Sequence, residues 1–126
     1  MMLAANLAGR AFTRAYVGYV HAIAHALGGL YHTAHGLGIA VSMPYVLEEY
    51  GKKAAKRLAK ISLSLNLATK ETPREEAAKL FIEWLKQLNK DLNIPANLPE
   101  IKDEDIQQLA HHAIIESNPF YPVPQI

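Results

Sequence analysis

The sequence predicts an all-α protein, a bundle of about five helices, and three observations carry that prediction. No stretch of the 126 residues alternates apolar and polar side chains in the two-residue rhythm of a strand. Apolar residues recur instead at three- and four-residue spacing. Helix-start signals and proline-rich connectors punctuate the periodic stretches. The length and an apolar fraction of 50% suit one domain with a core of its own.

From Leu3 to about Ala26 the chain is rich in Ala and Leu and free of proline, which predicts one long helix that Gly28 and Gly29 then stop. The stretch "GLYHTAHGLG" reads as a broken turn, with a second apolar helix starting near His35 and Pro44 in or near its first turns. After Glu48 the pattern turns amphipathic. Lys52, Lys53, Lys56, Arg57 and Lys60 fill one side, while Ala55, Leu58, Ala59, Ile61 and Leu65 recur on the other, so a surface helix is expected. "TPREEAAKLFIEWLKQLNKDL" opens like a capping box, with Thr72 as N-cap, Pro73 at the first helical position and Glu75 behind it. "NIPANLPEI" is a connector, and "KDEDIQQLAHHAIIES" a last short helix capped by Asp103.

Composition removes several classes of function. Lys and Arg number 13 against 12 Asp and Glu, so no net basic field is expected to hold nucleic acid or an anionic membrane. Cysteine is absent, which excludes disulfides and thiolate metal sites and suits a reducing cytoplasmic location. Residues 15–47 carry no Asp, Glu, Lys or Arg and would be long enough to span a bilayer, but four histidines, several glycines and Pro44 fall inside them. A buried soluble segment is the better reading, and no secretory signal pattern opens the chain.

That segment, "YVHAIAHALGGLYHTAHG", raises the question of function. Unpartnered imidazoles are costly to bury, so something must satisfy them. His21 and His25, four apart on a helix, share a face, and His35 can fold back towards them after the glycine break. A metal bound through nitrogen and oxygen ligands would use such a cluster. Backbone carbonyls satisfying the same rings in a core is the alternative. His32, His111 and His112 read as ordinary loop or helix histidines.

The segment "AGRAFTRAYVGYVHAIAHALGGLYHTAHGLGIAVSMPYVLEEY" resembles the signature region of the iron-containing (group III) alcohol dehydrogenases: Ala-Gly-x-Ala-Phe, then Gly-x-x-His-x-x-x-His-x-x-Gly, then His-Gly. "NIPANLPEIKDEDIQQLAHHA" and "ESNPFYPVP" are similar to that family's later helices and tail. The resemblance implies a dehydroquinate synthase-like two-domain enzyme, with a nucleotide-binding half followed by a helical metal-binding half. Residues 1–126 are expected to be part of the helical half, with the nucleotide-binding domain absent. Position by position, the resemblance makes His21 and His35 metal ligands, for Fe²⁺ or else Zn²⁺, and His25 a catalytic histidine beside nicotinamide and substrate. Ala34 and the Gly38-Ile39 pair depart from the family pattern, as loop residues and not ligands.

The family's other two ligands are an Asp and a His four apart, and no such pair occurs: Asp91, Asp103 and Asp105 are followed at that spacing by Pro95, Gln107 and Leu109. Nor is there a glycine-rich phosphate turn after a strand. The expectation is therefore the metal-binding part of an NAD- or NADP-dependent alcohol dehydrogenase, a fragment inactive alone and not binding the dinucleotide by itself. Its partners would be alcohol or aldehyde in the complete enzyme, the missing N-terminal part as a separate chain, and further copies of itself in a homo-oligomer. The alternative is a non-catalytic helical domain that self-associates and binds metal weakly or not at all.

Overall fold

A computed structural model describes residues 1–124, and among them there are helices and no strands. The helices are α1 (Met2–Ala15), α2 (Tyr19–Tyr31), α3 (His35–Tyr50), α4 (Lys52–Ser64), α5 (Arg74–Asp91) and, after a 3₁₀ turn at Asp103–Asp105, α6 (Ile106–Phe120). The all-α expectation holds. A sixth helix arises because the expected helix from Leu3 to Ala26 is two: Tyr16 takes φ 61° and the chain leaves α1 there, before Gly18 opens α2 in an extended conformation. Leucine and alanine propensity cannot foresee that break, because it is made by one residue's backbone.

Gly28 and Gly29 do not stop α2, which runs to Tyr31. Glycine costs a helix only about 1 kcal/mol, and tertiary packing of Leu27, Ala24 and Ala22 outweighs that. His32 ends the helix instead, in the left-handed conformation, donating its backbone N–H to the Gly28 carbonyl at 3.1 Å. Pro44 lies in the interior of α3 rather than in its first turns. A proline there withholds the bond that the Ala40 carbonyl would accept, and Asn89 of α5 supplies it, donating from Nδ2 at 2.7 Å.

Two apolar clusters organise the packing. Ala55 and Leu58 of α4 meet Ala78, Phe81 and Ile82 of α5, with Leu47 of α3 against them. Leu27 of α2, Val41 of α3 and Leu98 of the connector form the second, flanked by Ile23, Ile101 and Leu109. Helix α3 therefore joins an α4–α5 pair to an α2–α6 pair. Ile61 and Leu65, expected on the buried side of α4, are about two-fifths exposed, because Ser62 takes the buried position and donates its hydroxyl to the Ala77 carbonyl.

Two caps differ from expectation. Pro73 is itself the N-cap of α5, and Thr72 instead accepts the Thr69 backbone N–H at 3.0 Å through its hydroxyl. Asp103 opens the 3₁₀ turn, and α6 starts only after Asp105. The carboxylate of Asp105 is occupied as the acceptor for the Tyr31 hydroxyl.

Helix α1 lies apart. None of its residues is buried, no other helix packs along it, and Leu3, Leu7 and Phe12 stay exposed. The second apolar helix does not share this condition, since Gly38, Val41, Pro44 and Val46 are buried within the chain. Among the described residues, no helix is long and apolar enough to cross a membrane.

Candidate functional site

The close approach of α2 and α3 builds the site. Gly38 makes that approach possible: a Cβ on it would stand 3.2 Å from both Cα and Cβ of Ala24. With the two helices this near, His21 and His25, one turn apart on α2, face His35 in the first turn of α3. The ring centroids of His21 and His35 are 5.5 Å apart with planes at 57°, and those of His25 and His35 are 5.1 Å apart, stacked at 13°. His21 and His25 lie at 6.2 Å, and the Phe12 ring lies 6.1 Å from that of His21.

The structure thus brings together all three histidines singled out in the sequence. It does so near the surface rather than in a core: His25 and His35 are exposed and His21 is half-buried. His32 is exposed at the end of α2, and His111 and His112 are exposed on α6. The cost expected for burying four imidazoles does not arise.

Two imidazoles sharing an ion at about 2.1 Å per nitrogen, with a tetrahedral angle between them, hold their centroids about 5 Å apart. The His21–His35 pair fits that spacing, and its tilted planes allow lone pairs to converge. His25 does not join them on one point, because lone pairs lie in the ring plane and stacked planes do not meet nearby. Among the described residues, no group of three or more His, Asp or Glu is arranged to hold an ion. The donor set is two nitrogens.

Electrostatics favour the ligand form of His21. Burial, followed by repulsion from His35 and His25, holds its pKa below the ordinary histidine value, so the ring stays neutral with a lone pair available.

Glu116 belongs to the site as well, though no motif in the sequence marks it. It reaches across from α6, and its Oε1 accepts hydrogen bonds from His25 Nδ1 and from the Tyr121 hydroxyl, each at 2.7 Å. Partial burial pushes its carboxyl up, but the Tyr121 and His25 hydrogen bonds outweigh that and its pKa lies below the ordinary glutamate value. The only signal for it was its place directly before the "SNPFYPVP" tail, because nothing in local spacing ties a residue of α6 to one of α2.

Comparison with known proteins adds to this geometry. The description "Fe-containing alcohol dehydrogenase family, C-terminal" matches residues 1–125. Alcohol dehydrogenase 4 of Saccharomyces cerevisiae is 47% identical over 118 residues, covering 90% of this chain and 29% of that protein. An NADPH-dependent butanol dehydrogenase of Clostridium saccharobutylicum is 38% identical over 100 residues, covering 79% of this chain and 25% of its own length. The solved alcohol dehydrogenase from Oenococcus oeni superposes with a TM-score of 0.83 and 38% identity, over 95% of this chain and 32% of that one. The chain thus spans about a third or less of each relative.

Proposed function

Because the chain belongs to the Fe-containing alcohol dehydrogenase family, as its C-terminal helical part, we propose that His21 and His35 hold a divalent ion, Fe²⁺ or Zn²⁺, in an NAD- or NADP-dependent oxidation of a primary or secondary alcohol. The observation that carries this reading is the His21–His35 pair, 5.5 Å apart across a helix contact so close that a Cβ on Gly38 would stand 3.2 Å from Ala24. When bound, such an ion supplies Lewis acidity towards a hydroxyl or carbonyl oxygen, and the nicotinamide supplies or takes the hydride. His21, kept neutral, and His35 donate lone pairs. His25 is the proton relay, an imidazole beside the ligand pair but not converging with it.

Two imidazoles leave most of a coordination shell open, and the sequence holds no Asp-x-x-x-His to fill it. This chain by itself is therefore expected to bind Zn²⁺ more weakly than micromolar and to show no alcohol-dependent reduction of NAD or NADP. Calorimetric titration with Zn²⁺ is the test. The weak binding isotherm should disappear in His21→Ala and in His35→Ala and persist in His32→Ala. Equal binding by the first two variants, or nanomolar binding by a monomer, refutes the ligand assignment.

A second reading, a non-catalytic domain that self-associates, is favoured by one observation, the exposure of Leu3, Leu7 and Phe12 along α1. Sedimentation equilibrium should then show a dimer or larger species that Leu7→Glu dissociates. A monomer across the micromolar range excludes it.

A further inference from the structure

His25 and Glu116 are 91 positions apart in the chain and are brought to 2.7 Å by the packing of α2 on α6. The carboxylate oxygen that meets His25 Nδ1 also accepts the Tyr121 hydroxyl. Two donors hold that one oxygen, so swinging the carboxylate away would break both hydrogen bonds. The His35 ring lies nearly parallel to the imidazole, at 13° with its centroid 5.1 Å away. His25 is thus held through one nitrogen.

An ionised carboxylate can only accept hydrogen bonds. A neutral imidazole whose Nδ1 meets one must carry its proton on Nδ1 and its lone pair on Nε2, whereas an imidazole left to water distributes its proton over both nitrogens with Nε2 favoured. We propose that Glu116, itself oriented by Tyr121, is a positioning residue that locks His25 in the Nδ1–H tautomer, leaving Nε2 as the nitrogen able to take up a proton. Carboxylates play this part behind many functional histidines, setting which nitrogen is free. The functional meaning of the lock rests on the reading of His25 as the proton relay given above. The tautomer itself does not.

The test is made on the 126-residue chain, ¹⁵N-labelled and metal-free. Long-range ¹H–¹⁵N correlation spectra of the imidazoles are recorded at about pH 8.5, about two units above the ordinary histidine value. His25 should show a pyrrole-type Nδ1 and a pyridine-type Nε2. In Glu116→Ala the assignment should invert to a majority of Nε2–H. Glu116→Gln, close in shape but able both to donate and to accept, should give a mixture, and Tyr121→Phe should fall between Gln and wild type. Backbone spectra establish that each variant is folded. Should Glu116→Ala fail to fold, the Gln and Phe variants carry the test.

A wild-type His25 that is mainly Nε2–H, or a tautomer unchanged by both Glu116 variants, overturns the proposal. A role for Glu116 in mere helix packing would leave the ring nitrogens unaltered. Zn²⁺ titration of the same samples separates this proposal from the functional reading. Loss of binding at His21 and His35 speaks against the metal site with the lock intact, and an absent lock with binding intact speaks against Glu116 alone.

Discussion

Replacing Gly38 by valine tests how the site is assembled. The wild-type backbone places a Cβ at position 38 at 3.2 Å from Ala24 Cα and Cβ, with Leu27 Cδ1 at 3.7 Å. Carbon atoms prefer about 3.5–4.0 Å. Ala24 is 1% exposed, and one of the two clashing atoms is backbone, so no flexible side-chain end can swing away. Relief requires α3 to move off α2 by several tenths of an ångström, and the two methyl groups of valine add to it. Overpacking of this kind costs about 1–3 kcal/mol, against which leaving glycine for valine in a helix returns about 0.4 kcal/mol. A net loss of about 1.6 kcal/mol follows, roughly 6 °C in Tm for a domain of this size.

Gly36→Ala is the internal control, since a Cβ there meets nothing within 4 Å in the same helix. That variant should gain up to about 1 kcal/mol. Urea unfolding by far-ultraviolet circular dichroism measures both, and Zn²⁺ calorimetry on Gly38→Val should show weaker binding, because His35 is carried away from His21 with α3. If Gly38→Val is as stable as Gly36→Ala, the helices are not held at the distance on which the site depends, and the account of its assembly fails.

Asn89→Ala should cost about 1–2 kcal/mol, because it strips the Ala40 carbonyl of the donor that replaces the N–H missing at Pro44. Adding Pro44→Ala restores a backbone donor at position 44, and the double variant should recover part of the loss in urea midpoint; strict additivity would show that the two residues do not serve the same carbonyl. Acidification should destabilise the chain in two steps. His21 has a folded pKa below its unfolded value, so its penalty appears as pH falls from the ordinary histidine value towards the folded one. Glu116 also has a depressed folded pKa, so its contribution is present above the ordinary glutamate value and is lost as pH falls through the folded one. Urea midpoints across the acid range should lose the first step in His21→Ala and the second in Glu116→Gln; midpoints that keep both steps in these variants would assign the acid response elsewhere.

Local pattern alone determined much of this protein. Helical periodicity established the all-α class, the amphipathic face of α4 and the extent of α5, because side chains one turn apart must share a face whatever lies beyond them. The His21–His25 spacing and the glycine-flanked His35 were legible for the same reason, and the wider motif marked the family. Features depending on contact between distant segments were not legible. The break at Tyr16 and the persistence of α2 through Gly28 and Gly29 are set by packing and by single backbone angles that propensity averages away. Pro44 reads as lying in or near the first turns of its helix, and its interior position is tolerated because Asn89, 45 positions on, donates to the carbonyl it leaves without a partner. The exposure of the histidine cluster, the 5.5 Å approach of His21 and His35 and the hydrogen bond between Glu116 and His25 exist only because α3 and α6 pack against α2, and burial, ring distance and hydrogen-bond geometry are properties of that packing rather than of any one stretch of chain.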